Sequence, residues 1–207
     1  MLAGLESDPT NIGLAAILGY LLGSIPFGLI LARIAGFGDI REIGSGSIGA
    51  TNVLRTGNKP VALLTLILDS GKGAAAVLVA RYLAPELAPI AAVTVVLGHL
   101  FPVWLRFNGG KGFAAALGAL TAMAWPVGLG VGLTWLLVAA IFRFSSLSTL
   151  ISIALAPVYA WYWGEPAVAV AAAIIAVFLW YRHRQNIQRL RAGREPKIGK
   201  TAIQPAA

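Results

Sequence analysis

Long apolar runs constrain this chain more than any other feature of it. Seven follow one another, at about Ile12–Ala35, Pro60–Tyr82, Leu87–Leu105, Gly112–Ala124, Pro126–Phe142, Ser145–Trp163 and Pro166–Tyr181, with short polar breaks between them. Roughly 17–25 apolar residues in a helix cross the hydrocarbon core of a bilayer. With 58% hydrophobic and 12% charged residues, the chain has too little polar surface for a water-soluble domain. The expected fold is all-α, a polytopic integral membrane protein with seven transmembrane helices, residues 1–207 forming one transmembrane domain. The fourth run is short, and the boundaries at Trp125-Pro126 and Arg143 are the least marked.

The charges orient these spans. If the N-terminus lies outside, the inner segments hold Arg33, Arg41, Arg55, Lys59, Arg106, Lys111 and Arg143, and the C-terminal tail adds seven more basic residues from Arg182 to Lys200. Only Arg81 falls outside, and Lys72 lies within a span. Glu6, Asp8, Glu86 and Glu165 gather on the opposite side. This asymmetry follows the positive-inside rule and predicts a cytoplasmic C-terminus. Met1–Asn11 has acidic residues and no Lys or Arg, the wrong flank for a cleaved leader, so the first run is expected to remain as a helix. The tail arginines are expected to face anionic lipid headgroups, not nucleic acid. Cysteine is absent and the two histidines, His99 and His183, lie far apart in sequence, so neither a metal site nor a cofactor is expected.

That topology places the polar sequence of interest on one face. Gly44-Ser45-Gly46-Ser47-Ile48-Gly49-Ala50-Thr51-Asn52-Val53-Leu54-Arg55 is dense in small donors and has no negative charge, as an anion-binding loop requires. Ser45 and Arg55 are its strongest phosphate candidates, while Thr51 and Asn52 are equally suited to capping a helix. Asn108-Gly109-Gly110-Lys111-Gly112 lets backbone approach a ligand and runs into a helix N-terminus, where unpaired N–H groups favour anions. It is not a Walker A sequence, because no strand precedes it and the required upstream glycine is missing. In the second span, Asp69 and Lys72 sit one turn apart, either as a neutralising pair or with Lys72 reaching a ligand. After the last span, His183, Asn186, Ile187 and Leu190 share one helical face, which turns the His and Asn inward. In the first span, Pro26 within Gly23-Ser24-Ile25-Pro26-Phe27-Gly28 predicts a kink.

Together these blocks resemble the bacterial acyl-phosphate:glycerol-3-phosphate acyltransferases. The resemblance rests on Gly23-Ser24-Ile25-Pro26, on Gly44–Arg55, on Asp69-x-x-Lys72-Gly73, and on Gly98-His99-x-Phe101-Pro102 with Gly109–Gly112. The last block is His183-Arg184-x-Asn186-Ile187-x-Arg189-Leu190 with Gly193 and Glu195. Ser47 and Ala115 depart from the family pattern, where asparagine and threonine are usual. The resemblance implies transfer of a fatty acyl group from acyl phosphate to the 1-hydroxyl of glycerol 3-phosphate at the cytoplasmic face of a bacterial inner membrane. It implies catalytic roles for Ser45, Arg55, Lys111 and His183. Substrate contacts are implied for Gly46, Thr51, Asn52, Lys72, Gly109, Gly110, Gly112, Asn186 and Glu195.

The His-x-x-x-x-Asp pattern of thioester-dependent acyltransferases is absent, since Trp104 and Gln188 stand five places after the two histidines. An activated mixed anhydride instead calls for positioning and charge stabilisation. Ser45, Arg55, Lys111 and the N–H groups of Gly109 and Gly110 are expected to hold the departing phosphate. His183 and Asn186, with Lys72, are expected to hold glycerol 3-phosphate. The competing reading is a transporter of an organic phosphate, which would place its site near the midplane of a repeated fold.

Overall fold

The protein is described here by a computed structural model covering residues 8–163 and 165–199. Among the described residues the chain is all-helical, and a helix stands at each of the seven apolar runs. Helices α1 (Pro9–Gly23) and α2 (Phe27–Ile34) make up the first run and are interrupted at Ser24-Ile25-Pro26, as the proline predicts. A short α3 (Ala50–Val53) lies in the first polar loop. Then come α4 (Lys59–Leu83), α5 (Ala88–Leu100), α6 (Phe113–Met123), α7 (Trp125–Phe142), α8 (Ser145–Tyr162), α9 (Pro166–Arg182) and α10 (Arg184–Arg191).

Start signals are written into the sequence. Proline occupies the first turn of α1, α4, α5, α7 and α9, where its missing N–H has no intrahelical partner to lose. Asp8 caps α1 by accepting from the Thr10 N–H at 2.9 Å, and Asn58 caps α4 by accepting from Val61 N–H at 3.0 Å. Four segments are long and apolar enough to cross a bilayer alone: Pro9–Ile34, Lys59–Leu83, Pro85–Leu105 and Trp125–Phe142. Pro166–Arg182 and Arg184–Arg191, bent by 61° at His183, reach that length and apolarity only when taken together. The 11-residue α6 is shorter, and α8 opens with Ser145, Ser146, Ser148 and Thr149.

Glycine lets these helices approach closely. A Cβ on Gly73 of α4 would collide with the Ala115 carbonyl of α6, and one on Gly118 of α6 with the Ser70 carbonyl of α4. Gly23 and Gly98 stand in the same reciprocal relation between α1 and α5. Lipid provides no hydrophobic drive between helices, so such close packing supplies much of their cohesion. A buried core runs through α4, α5, α6, α7, α8 and α9, from Val77 through Val95, Ala116 and Ile153 to Ile175. Exposed Tyr82, Trp125, Trp161 and Tyr162 ring one end of the bundle, an interfacial aromatic belt. The polar loops lie at the other end.

Candidate active site

The first loop is held in shape by one buried amide. Gly44 and Gly46 have φ of 57° and 66°, which turns the chain tightly enough to wrap Asn52. Asn52, 2% exposed, donates from Nδ2 to the Ile40 carbonyl at 2.7 Å and the Ile43 carbonyl at 3.3 Å. Its Oδ1 accepts from the Ser45 N–H at 3.0 Å, the Ser45 hydroxyl at 3.3 Å and Arg55 Nη1 at 3.3 Å. Asn52 is therefore not a helix cap; Gly49 stands at that position. It aims Ser45 and Arg55 together instead. Thr51 shares a hydrogen bond of 3.2 Å with Ser145 at the start of α8. Ser47 is buried, and its hydroxyl accepts weakly from the Gly49 N–H.

The second loop corrects one expectation. The N–H of Gly109 donates to the Leu100 carbonyl at 3.2 Å, and that of Gly110 to the His99 carbonyl at 3.0 Å. Their carbonyls accept from Arg182, Nη2 at 2.9 Å and Nε at 3.2 Å. Both glycines are fully engaged in shaping the turn and offer no N–H to a phosphate. Gly112, with φ of 86°, then carries the chain into α6, and Lys111 projects between them. Burial lowers the Lys111 ammonium to about 8, with Arg189, Arg55 and Arg182 pushing the same way and Glu195 opposing. Burial likewise lowers the half-buried Arg55.

A third segment closes the arrangement. His183 Nδ1 lies 2.7 Å from the Leu179 carbonyl. A carbonyl can only accept, so Nδ1 carries hydrogen and the neutral ring keeps a lone pair on Nε2. Glu195 is a tie rather than a ligand for an anion. Its Oε1 accepts from Asn186 Nδ2 at 2.5 Å and the Ser146 hydroxyl at 2.7 Å, and its Oε2 from Arg189 Nε at 2.7 Å. Burial would raise this carboxyl, but these hydrogen bonds outweigh it and hold Glu195 below its ordinary value. Beyond Glu195 the chain crosses back over the site and is fixed by the Ile198 N–H donating to the Arg143 carbonyl at 2.7 Å.

Ser45, Thr51, Asn52, Arg55, Lys111, Gly112, His183, Asn186 and Glu195 all line one cavity of about 730 Å³. Four predicted residues do not. Lys72 is buried against Asp69 and the Ile25 carbonyl and does not line the cavity. Gly110 lies behind the wall. Gly46 and Gly109 line a separate shallow cleft of about 390 Å³ with Asp39, Arg41 and Arg182. Sequence reasoning missed Ser145, Ser146 and Thr149, which place the α8 N-terminus on the cavity. The signal was available, since Ser145 and Ser146 open an apolar run two places after Arg143. It also missed the apolar wing formed by Leu63, Leu66, Phe113, Leu117, Trp135 and Leu136. Leu63 and Leu136 are 58% and 60% exposed on the outer surface of the bundle, so the cavity opens sideways as well as at the polar end. Among the described residues no three His, Cys, Asp or Glu side chains gather as metal ligands.

Comparison with known proteins gives a consistent result. A family model described as glycerol-3-phosphate acyltransferase matches residues 13–193. Curated relatives named glycerol-3-phosphate acyltransferase include one from Rhodospirillum rubrum, 56% identical over 197 residues, covering 91% of each chain. Another, from Paramagnetospirillum magneticum, is 60% identical over 186 residues, covering 89% of this chain and 92% of the relative. Among solved structures, the glycerol 3-phosphate form of PlsY, an integral membrane glycerol 3-phosphate acyltransferase, superposes with a TM-score of 0.86 at 38% identity, covering 91% of this chain and 96% of that one. Its lysophosphatidic acid form gives a TM-score of 0.84 at 36% identity, covering 91% and 95%.

Proposed function

This chain belongs to the glycerol-3-phosphate acyltransferase family, and from that premise we propose that its cavity joins acyl phosphate to glycerol 3-phosphate, giving lysophosphatidic acid and inorganic phosphate. One observation carries the reading. A single cavity has cations and hydroxyls at one end and an apolar wall of exposed leucines at the other. That combination suits a headgroup with a phosphate and a fatty chain lying in lipid. The decisive experiment gives purified protein glycerol 3-phosphate with either acyl phosphate or acyl-CoA, and follows phosphate and lysophosphatidic acid. Uptake of glycerol 3-phosphate into vesicles without chemistry would instead establish a transporter.

The chemistry follows from the donors. The 1-hydroxyl oxygen attacks the acyl carbon, a new C–O bond forms, and the bond from that carbon to the phosphate oxygen breaks. The phosphate leaves with the electron pair. Ser45, Arg55 and Lys111 stabilise the charge that develops on it, which is worth most in a site largely shielded from water. The proton of the hydroxyl passes to a phosphate oxygen. His183, with its Nε2 lone pair, accepts a hydrogen bond from the 1-hydroxyl and aims it, while Asn186 helps hold the glycerol phosphate. His183→Gln is therefore expected to raise KM for glycerol 3-phosphate several-fold and keep kcat within about tenfold. A collapse of kcat by about 1,000-fold or more would make His183 the base.

Seven crossings, an outer N-terminus and a cytoplasmic polar end complete the reading. The concentration of basic residues at the polar end supports it. With no native cysteine, the test is direct. In intact cells, Glu86→Cys is expected to react with an impermeant maleimide, whereas Arg191→Cys is expected to react only after lysis. The reverse pattern would invert the topology.

A further inference from the structure

Three ionisable side chains inside the apolar bundle take no part in the reaction derived above. Asp69 and Lys72 on α4 and His99 on the last turn of α5 are only 1%, 4% and 3% exposed. The Lys72 ammonium lies 2.7 Å from Asp69 Oδ1 and donates to the Ile25 carbonyl at 2.8 Å, where the first run breaks. His99 turns Nδ1 towards the same Asp69 oxygen at 3.5 Å, too far for a well-formed hydrogen bond. Its opposite edge abuts the second loop, since a Cβ on Gly110 would overlap Nε2. The His99 carbonyl also accepts the Gly110 N–H at 3.0 Å.

Charged groups at this depth are costly and by default mark function. Mutual neutralisation explains Asp69 with Lys72 but leaves the histidine without a purpose. Its placement supplies one. Asp69 and His99 both line the inner wall of the cavity, and the ring fills the space between the carboxylate and the turn that presents Lys111. Arg182 holds the same turn through the Gly109 and Gly110 carbonyls. The turn is thus pinned between a guanidinium and an imidazole.

We propose that Asp69, Lys72 and His99 form an intramembrane brace that sets the position of the Gly109-Gly110-Lys111 turn, and through it that of the Lys111 ammonium. They are positioning residues, acting on the reaction through Lys111. The proposal rests on Lys111 holding a substrate phosphate. A displacement of the turn by about 1 Å should cost on the order of 100-fold in rate.

The test uses purified full-length variants, with Lys111→Arg as a kinetic reference. His99→Gln and Asp69→Asn are each expected to lower kcat/KM by about 10- to 100-fold, raising KM for the same phosphorylated substrate whose KM rises in Lys111→Arg. Gly110→Ala, which drives a methyl group into the ring, is expected to lose at least about tenfold more than either. Gly110→Ala combined with His99→Ala, which makes room for that methyl, is expected to regain at least about tenfold over Gly110→Ala alone. Loss of kcat with both KM values unchanged, as a smaller folded fraction would give, overturns the brace. So does a double variant no better than Gly110→Ala. Should His99→Gln not fold, Asp69→Asn and the Gly110 pair decide the matter. Wild-type turnover in Lys111→Ala would remove the underlying phosphate role, whereas the rescue between positions 110 and 99 tests their contact independently.

Discussion

Replacing Lys111 with alanine is expected to lower kcat/KM by about 1,000-fold, the effect of removing a principal donor to a developing anion. The ammonium stands on the cavity wall at the mouth of α6, and the cations that act on it, Arg55, Arg182 and Arg189, are tied to Asn52, to the Gly109 and Gly110 carbonyls and to Glu195. No other lysine of the second loop can replace it. Lys111→Arg should retain part of the activity, because charge survives while the geometry shifts. The same residue sets an alkaline limit. Its folded-state value of about 8 lies below the ordinary 10.5, so the charged form predominates at neutral pH and is lost as pH rises through about 8. The kcat/KM profile, which reports the free enzyme, should fall roughly tenfold per pH unit above that point. A bound phosphate favours the charged lysine, so the limb in kcat should appear at higher pH. Turnover of Lys111→Ala near the wild-type level, or a profile flat beyond pH 9, would contradict this role.

The second large effect is expected at Glu195. This carboxylate joins α8 through Ser146, α10 through Asn186 and Arg189, and the returning tail in which it stands. Glu195→Ala removes all three acceptor contacts and leaves a buried amide without its partner. Leaving a buried donor such as the Asn186 amide unsatisfied costs about 1–3 kcal/mol, so with the other two contacts a loss of about 2–4 kcal/mol is expected, read as a lowered Tm in detergent or lipid. Activity should fall by about 100-fold as Asn186 loses its orientation. Glu195→Gln should be milder. Its amide oxygen can still accept from Ser146 and Asn186, but its amide nitrogen then faces the Arg189 donor. Equal Tm and activity in Glu195→Ala and the wild type would show that the tail is not held at this point.

The fold was legible because its determinants are local. Prolines at the first turns and apolar runs of spanning length mark the helices without reference to tertiary contacts. Even the Trp125-Pro126 boundary is real: α6 ends at Met123 and α7 starts at Trp125, with Ala124 alone between them. The site was legible only as residue types. Asn52 looked suited to a cap because asparagine is good at capping; that it reaches back to Ile40 and Ile43 depends on two left-handed glycines and a closed loop. Lys72 looked available to a ligand because sequence spacing does not reveal that the break before Pro26 offers a carbonyl 47 residues away. The glycines of the second loop looked like N–H donors, but the carbonyls of α5 that they reach come into range only when the turn folds back on its own helix. Hydrogen bonds between distant segments, such as that from the Ser146 hydroxyl to Glu195, need the tertiary structure to be seen.

The sideways opening past Leu63 and Leu136 determines how the reaction should be measured. A fatty substrate that enters between helices is drawn from a two-dimensional solution, so its effective concentration is its mole fraction in the surrounding leaflet, not its amount per litre. The water-soluble substrate and the released phosphate obey ordinary bulk concentration at the other mouth. The two products therefore part into different phases at the moment they form. Each KM is accordingly expressed in the unit of its own phase.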